Sequence, residues 1–124
     1  MVPGAKWIAK GIACNRTLEV LNIKGNIIGD EGMVFIAQAL PAAVQLKELD
    51  ISLNEVGPIG FQALCDVLPQ SQITTLTCNK NFLGDEVLGY FANILTNEQS
   101  KLKKFDFSSC RLNDTGLIYL INAL

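Results

Sequence analysis

The residues of this chain best placed to do chemistry are its four cysteines, Cys14, Cys65, Cys78 and Cys110, and two acidic stretches, "GDEG" (29–32) and "GDEV" (84–87). A thiol acts as a nucleophile or metal ligand only as the thiolate, and it needs a base or a second ligand nearby. The chain has no histidine, so the usual general base and the mixed Cys/His metal sites are excluded. No two cysteines stand closer than 13 positions and no C-x-x-C occurs, so zinc spacing is missing. In the acidic stretches the carboxylates are adjacent. They do not follow the alternating D-x-D-x-D-G order of a calcium loop, and the start of a helix explains them better. Neither GxxxxGK[ST] nor GxGxxG is present, so no phosphate cradle is indicated. The sequence therefore predicts no catalytic, cofactor or metal site.

Charge and hydropathy narrow the partners. A net charge of −2 and a pI near 5.0 argue against a nucleic-acid binder. "KLKK" (101–104) reads as a solvated edge. No run of 18 apolar residues exists, so no membrane partner is expected. The N-terminal stretch lacks the unbroken apolar segment of a secretory signal. A cytoplasmic protein with reduced thiols is expected. The N-x-S/T triplets at Asn15 and Asn113 would matter only in a secreted chain.

The elements that position these residues repeat. Apolar positions spaced 3, 2, then 3 from a closing residue occur four times. "LEVLNIKGN" carries the pattern at Leu18, Leu21, Ile23 and Asn26, and "LKELDISLN" at Leu46, Leu49, Ile51 and Asn54. "ITTLTCNKN" carries it at Ile73, Leu76, Cys78 and Asn81, and "KLKKFDFSSC" at Leu102, Phe105, Phe107 and Cys110. Successive copies are offset by 28, 27 and 29 positions. Two inward residues two apart mark a short strand, and the closing column sits where the chain bends away. An asparagine there can donate its amide to turn carbonyls and accept from an N–H. Cys110 offers only one weak donor.

The second half of each unit has helical spacing. Met33, Ile36, Ala37 and Leu40 share one face, as do Phe61, Leu64, Cys65 and Leu68; Leu88, Phe91, Ala92 and Leu95; and Leu117, Leu120, Ile121 and Leu124. Cys65 and Cys78 fall in inward columns and read as inert core thiols. Pro58 shares a column with Asp30, Asp85 and Asp114, which suits a first helical turn. Gly29, Gly57, Gly84 and Asn113 precede it as caps.

LxxLxLxxN followed by GDEG…L…L resembles the ribonuclease-inhibitor-like subfamily of leucine-rich repeats. The resemblance covers nearly the whole chain. Residues 4–13 match the helical half of an earlier unit, with Gly4, Ile8 and Ile12 aligned to Gly32, Ile36 and Leu40. The implied fold is an α/β solenoid, a horseshoe segment with a parallel β-sheet on the concave face and α-helices on the convex face. The expected domain is single, with a half repeat at 1–17 and repeats at 18–45, 46–72, 73–101 and 102–124. It is expected to be a piece of a longer array, with one or both ends meeting another copy, another domain or a further segment. Self-association through uncapped ends is one such outcome.

The resemblance also implies a protein partner on the concave face. By alternation the outward residues include Asn22, Lys24, Glu48, Asp50, Ser52, Leu53, Thr75, Thr77, Asn79, Lys104 and Asp106, and Val20 as well. Four strands about 4.8 Å apart and about 17 Å long give only roughly 250 Å², against about 800 Å² per partner for a stable interface. Loops and rims, or further units, must therefore contribute. A helical column of Trp7, Phe35, Ala63, Tyr90 and Tyr119 reads either as a convex docking stripe or as contact between neighbouring helices, and the second is favoured. Trp7, in the incomplete unit, is the candidate end contact.

Three departures stand out. Val87 replaces the glycine of Gly4, Gly32, Gly60 and Gly116, Cys78 replaces a large aliphatic residue, and Leu53 occupies an open face. Looser packing is expected around units two and three. The function expected is a non-catalytic protein–protein interaction scaffold. The alternatives are a regulatory or sensor segment of a larger protein, such as an enzyme inhibitor, GTPase activator or receptor, or a structural spacer.

Overall fold

A computed structural model describes residues 2–107. Helix α1 (Val2–Cys14) leads into strand β1 (Val20–Asn22), then helix α2 (Gly29–Ala39), strand β2 (Glu48–Asp50), helix α3 (Pro58–Val67), strand β3 (Thr75–Thr77), helix α4 (Leu88–Thr96) and strand β4 (Lys104–Asp106). The strands form one parallel sheet in chain order. The register Val20↔Glu48↔Thr75↔Lys104 follows the expected columns position by position. The named strands are three residues each. Their ladder runs further, from Glu48 N–H donating to the Glu19 carbonyl to Gly25 N–H donating to the Ser52 carbonyl. Cys110, Asn113, Asp114, Gly116, Tyr119 and the helical face from Leu117 to Leu124 lie outside the described residues.

The core lies between sheet and helices. Leu46, Leu49, Ile51, Ile73, Leu76 and Cys78 are essentially inaccessible and pack with Ile36, Leu40, Phe61, Leu64 and Leu68. Of the equivalents at the two ends of the described sheet, Leu18, Leu21, Leu102, Phe105 and Phe107 are only half-buried, while Ile23 is buried. The gradient is the physical signature of stacked modules, in which each unit is shielded by the next.

The closing asparagines perform the role that their column requires. The Asn54 amide donates to the carbonyls of Ile23 (2.9 Å), Ile51 (3.0 Å) and Ser52 (3.0 Å), and its oxygen accepts from Asn26 N–H at 2.8 Å. Asn81 donates to the Ile51 (3.0 Å) and Cys78 (3.2 Å) carbonyls and accepts from the Asn54 and Val56 N–H groups, both at 3.0 Å. Each buried asparagine thus ties its own turn to the unit before it. Asn26 bonds only within its own turn through its side chain, to Ile23 and Lys24 carbonyls, and is exposed.

The helix starts hold a connection between units. Gly57 caps α3 in extended conformation with Pro58 next, as the sequence predicts. Asp30 does more than favour its own helix dipole. Its Oδ1 accepts from Gly57 N–H (2.8 Å) and Gly60 N–H (2.9 Å), capping the helix of the following unit. A Cβ on Gly60 would stand 2.7 Å from that oxygen and 3.0 Å from Met33 Cβ, which explains the repeat glycine. Pro58 occupies the Asp30 column in unit two and has no carboxylate to offer unit three. There the chain enters through a 3-10 turn at Asp85–Val87. Val87 is tolerated and buried. The α3–α4 contact is sparser than α1–α2 or α2–α3, in line with the looser packing expected of that region.

Candidate functional site

The concave face is built by the alternation of the strands. Leu21, Leu49, Leu76 and Phe105 point into the core. Val20, Glu48, Thr75 and Lys104 form one outward column, and Asn22, Asp50, Thr77 and Asp106 another. Of the predicted partner-facing residues, Asn22, Lys24, Glu48, Leu53, Lys104 and Asp106 are exposed, and Asp50, Thr75, Thr77 and Asn79 are half-buried. A shallow open depression of about 280 Å³ lies between Val20, Asn22, Glu48, Asp50, Thr75 and Thr77.

Ser52 requires a correction. It was expected to face outward, but it is 3% exposed. Strict alternation ends at Ile51, and the turn carries Ser52 inward, where its hydroxyl accepts from Asn79 N–H at 3.0 Å. Ser52 therefore ties two units together and is not available to a partner.

The polar side chains of the face are partly engaged. Asp50 Oδ1 accepts from Ser52 N–H at 2.9 Å, and Asn22 Oδ1 from Lys24 N–H at 3.0 Å. Asn79 donates its amide to Asp106 Oδ2 at 3.1 Å. These bonds fix the short side chains without hiding them. The face is preorganised for hydrogen bonding to another surface and too shallow to enclose a small molecule.

Two of the described thiols, Cys65 and Cys78, are core groups. Burial, and secondarily the Asp66 carboxylate, pushes the Cys65 thiol far above its ordinary range. It is held as the neutral, unreactive form. Cys78 is fully buried, while Cys14 is exposed and unpaired in any disulfide. No helix among the described residues is long and apolar enough to cross a membrane.

Trp7 is 71% exposed, with the Lys10 ammonium 4.9 Å from its ring centre. The next members of its column, Phe35, Ala63 and Tyr90, are half-buried, and Phe35 has the α1 residue Lys6 at 5.1 Å from its ring. Phe35 therefore lies against the preceding helix, and Trp7 is the most exposed of these four residues.

The geometry matches known proteins. The profile described as "Leucine Rich repeat" matches residues 14–37, 45–65 and 98–120. This chain belongs to the leucine-rich repeat family. The mouse ribonuclease inhibitor is 24% identical over 98% of this chain and 27% of its own length. Mouse Protein NLRC5 is 31% identical over 84% of this chain, and human NACHT, LRR and PYD domains-containing protein 12 is 33% identical over 72%. The chain spans only 5% of the first and 8% of the second. A tropomodulin C-terminal domain from Caenorhabditis elegans superposes with a TM-score of 0.77, covering 98% of this chain and 74% of that one. At 15% identity that likeness speaks for the fold. The leucine-rich repeats are of the ribonuclease-inhibitor-like type, and proteins of this family generally mediate protein–protein interaction and are typically non-enzymatic. The profile leaves out residues 66–97, the stretch with Cys78 and Val87.

Alternation missed one set of exposed residues. Ile27, Ile59 and Phe82 are 59%, 69% and 45% exposed and lie where the chain passes from strand to helix. The signal for two of them was the doublets Ile27-Ile28 and Phe82-Leu83. Adjacent apolar residues in a tight turn cannot both face the core, and Ile28 and Leu83 take it.

Proposed function

We propose that this chain is a non-catalytic scaffold that binds a protein partner on its concave face and the adjoining turns. The observation that carries this reading is the sheet itself. Four parallel strands hold short polar side chains in a fixed, open array, with backbone hydrogen bonds running between each pair of neighbouring strands. Binding such a face requires little ordering, which favours affinity. Its charge pattern mixes Glu48, Asp50 and Asp106 with Lys24 and Lys104, which suits a protein surface better than a phosphate backbone. The free thiols at Cys14, Cys65 and Cys78 support a reducing compartment, the cytoplasm, as its location.

The second reading is a regulatory or sensor segment of a larger protein. The relatives that favour it are much longer than this chain, and one is named for inhibiting ribonuclease. A regulator changes its partner's rate, whereas a scaffold changes its location. Both readings place the partner on the same face.

The test compares proteins retained by the wild-type chain with those retained by Asp50→Arg/Thr77→Arg, read by quantitative mass spectrometry. Both substituted residues project from the sheet, so the double variant should leave the far-ultraviolet circular dichroism unchanged. At least one protein is expected to be held by the wild type and lost by the variant. Identical capture by both would overturn the concave-face reading.

A further inference from the structure

At its β1 edge the sheet presents the same groups that, elsewhere in the chain, receive a preceding strand. A Cβ on Gly32 of α2 would stand 3.0 Å from Ala5 Cβ of α1, and one on Gly60 of α3 the same 3.0 Å from Met33 Cβ of α2. Ala5 and Met33 occupy equivalent positions of the repeat. Helix α1 therefore stands to α2 as α2 stands to α3, one place along the stack. Helix α2 joins β1 to β2 and α3 joins β2 to β3, whereas α1 leads into β1 with no strand before it among the described residues. The columns that such a strand would cover are open. Ile36 and Ala37 are 0% and 1% exposed, but Ile8 and Ala9, their equivalents on α1, are only half-buried, as are Leu18 and Leu21.

The polar groups of this edge follow suit. Bonds from β1 to β2 use Glu19, Ile23 and Gly25. Successive residues of a strand bond to opposite sides, so the N–H of Val20 and the carbonyl of Asn22 point to the open side. Their equivalents in β3 show what they would hold. Thr75 N–H donates to the Lys47 carbonyl at 3.1 Å, and the Thr77 carbonyl accepts from Ile51 N–H at 2.8 Å. The closing asparagines agree. Asn54 and Asn81 each donate to a carbonyl of the preceding unit, Ile23 or Ile51, and accept an N–H from it. Asn26 makes only the bonds to its own turn; the two that would reach back have no partner among the described residues. Strand edge, core columns and asparagine thus specify one neighbour, in one direction and one register.

We infer that the place beside β1 and beneath α1 binds an extended segment of another protein, added parallel to β1 with apolar residues at i, i+3 and i+5. The interface continues the one that joins the units of this chain. Its spacing is that of Leu46, Leu49 and Ile51, which fill the equivalent place before β3. The helix layer there is already occupied by α1, so the occupant brings a strand and no helix. That sets a second copy aside, because its strands β1, β2 and β3 are each followed by a helix. Residues 1–18 carry Lys6, Lys10 and Arg16 and no carboxylate side chain, so an acidic segment is favoured. Main-chain bonds supply affinity and the apolar columns supply register, as in other additions of a strand to a sheet edge. This surface is separate from the concave face and does not depend on that reading.

The synthetic peptide VQLKELDISLNEVG, residues 44–57 of this chain, has the required spacing and sets Glu48, Asp50 and Glu55 against one lysine; it serves as the probe. Labelled and titrated with the 124-residue chain, it is expected to show saturable binding by fluorescence anisotropy, to weaken with added salt, and to slow exchange of the Val20 amide. In the peptide, Ile51→Pro removes the N–H that would reach the Asn22 carbonyl and should weaken binding about tenfold or more. In the chain, Val20→Pro should do the same while leaving the melting temperature nearly unchanged, because proline is tolerated where a strand N–H faces water. Asp50→Arg in the chain should bind the peptide as wild type does. A scrambled peptide that binds equally well, binding that survives Val20→Pro, or no saturation overturns the edge assignment. Loss of binding in Asp50→Arg with none in Val20→Pro overturns it in favour of the concave face. Dimers of the chain alone that form with rising concentration and are abolished by Val20→Pro would give the edge to a second copy and overturn the choice of occupant.

Discussion

At the residue scale, the asparagine column and the buried thiol make measurable demands. Asn54 makes four side-chain hydrogen bonds across two turns. Asn54→Ala removes all four and leaves the buried Ile23, Ile51 and Ser52 carbonyls without this donor, so a loss of about 2–4 kcal/mol is expected. Asn26→Ala, at an exposed position with two bonds to its own turn, should cost about 1 kcal/mol. Urea titration of the two variants checks the contrast, and equal losses would contradict the ladder. Cys65 gives a pH prediction. Its folded-state pKa lies above the ordinary value of 9.0, so the folded chain keeps a proton that the unfolded chain loses as pH rises past 9. Its contribution is fully present below pH 9 and falls above it, by about 1.4 kcal/mol per pH unit. The stability difference between wild type and Cys65→Ala should therefore shrink between pH 8.5 and 10.5. In native protein a thiol reagent should label Cys14 and leave Cys65 and Cys78 untouched until unfolding.

At the element scale, the sequence marked the start of α3 at Gly57 and Pro58, but α2 begins one residue early, at Gly29 with Ile28 as its cap position, and α4 begins at Leu88 after a 3-10 turn; nor did it show what caps α3. Asp30 and Pro58 share a column, and a local reading assigns both to their own helix starts. The carboxylate instead reaches Gly57 and Gly60, 27 and 30 positions on, a partner that only the stacking of units reveals. The same limit explains Ser52. Period-two alternation holds while the backbone is a strand, and it fails at the first residue of the turn, which the spacing does not mark. The strands, their register and the core columns were legible because one repeated spacing constrains all of them at once. The cap leads to a coupled prediction. Asp30→Ala should destabilise the chain by about 1–2 kcal/mol, and Asp30→Asn by less, because an amide oxygen still accepts. Gly60→Ala should be more harmful in wild type than in Asp30→Ala, because one of its close contacts is the carboxylate oxygen at 2.7 Å. A double-mutant cycle by thermal denaturation measures this, and strict additivity would rule out the inter-unit cap.

At the scale of the whole molecule, stability in a stack of modules is a sum of unit and neighbour terms, so position along the solenoid should matter more than residue type. Leu21 and Leu49 are the same residue in the same column of adjacent strands, paired directly in register. Leu49 is 1% exposed and Leu21 only half-buried, because among the described residues β1 has a neighbouring strand on one side only. Leu49→Ala leaves a closed cavity and should cost about 2–5 kcal/mol. Leu21→Ala opens onto solvent and should cost no more than about half of that. Hydrogen exchange should follow the same gradient, with the Ile51 amide, bonded to Thr77 at 2.8 Å, exchanging far more slowly than amides in β1. Association through the end that carries Trp7 and β1 would flatten the gradient. Protection of β1 would then rise with protein concentration, and the emission of Trp7, the single tryptophan, would shift to the blue. The expected result in dilute solution is the steep gradient, with Leu49 far more costly to truncate than Leu21. Equal costs at all concentrations would show that the two strands are equally shielded, which a one-dimensional stack with β1 at its edge does not allow.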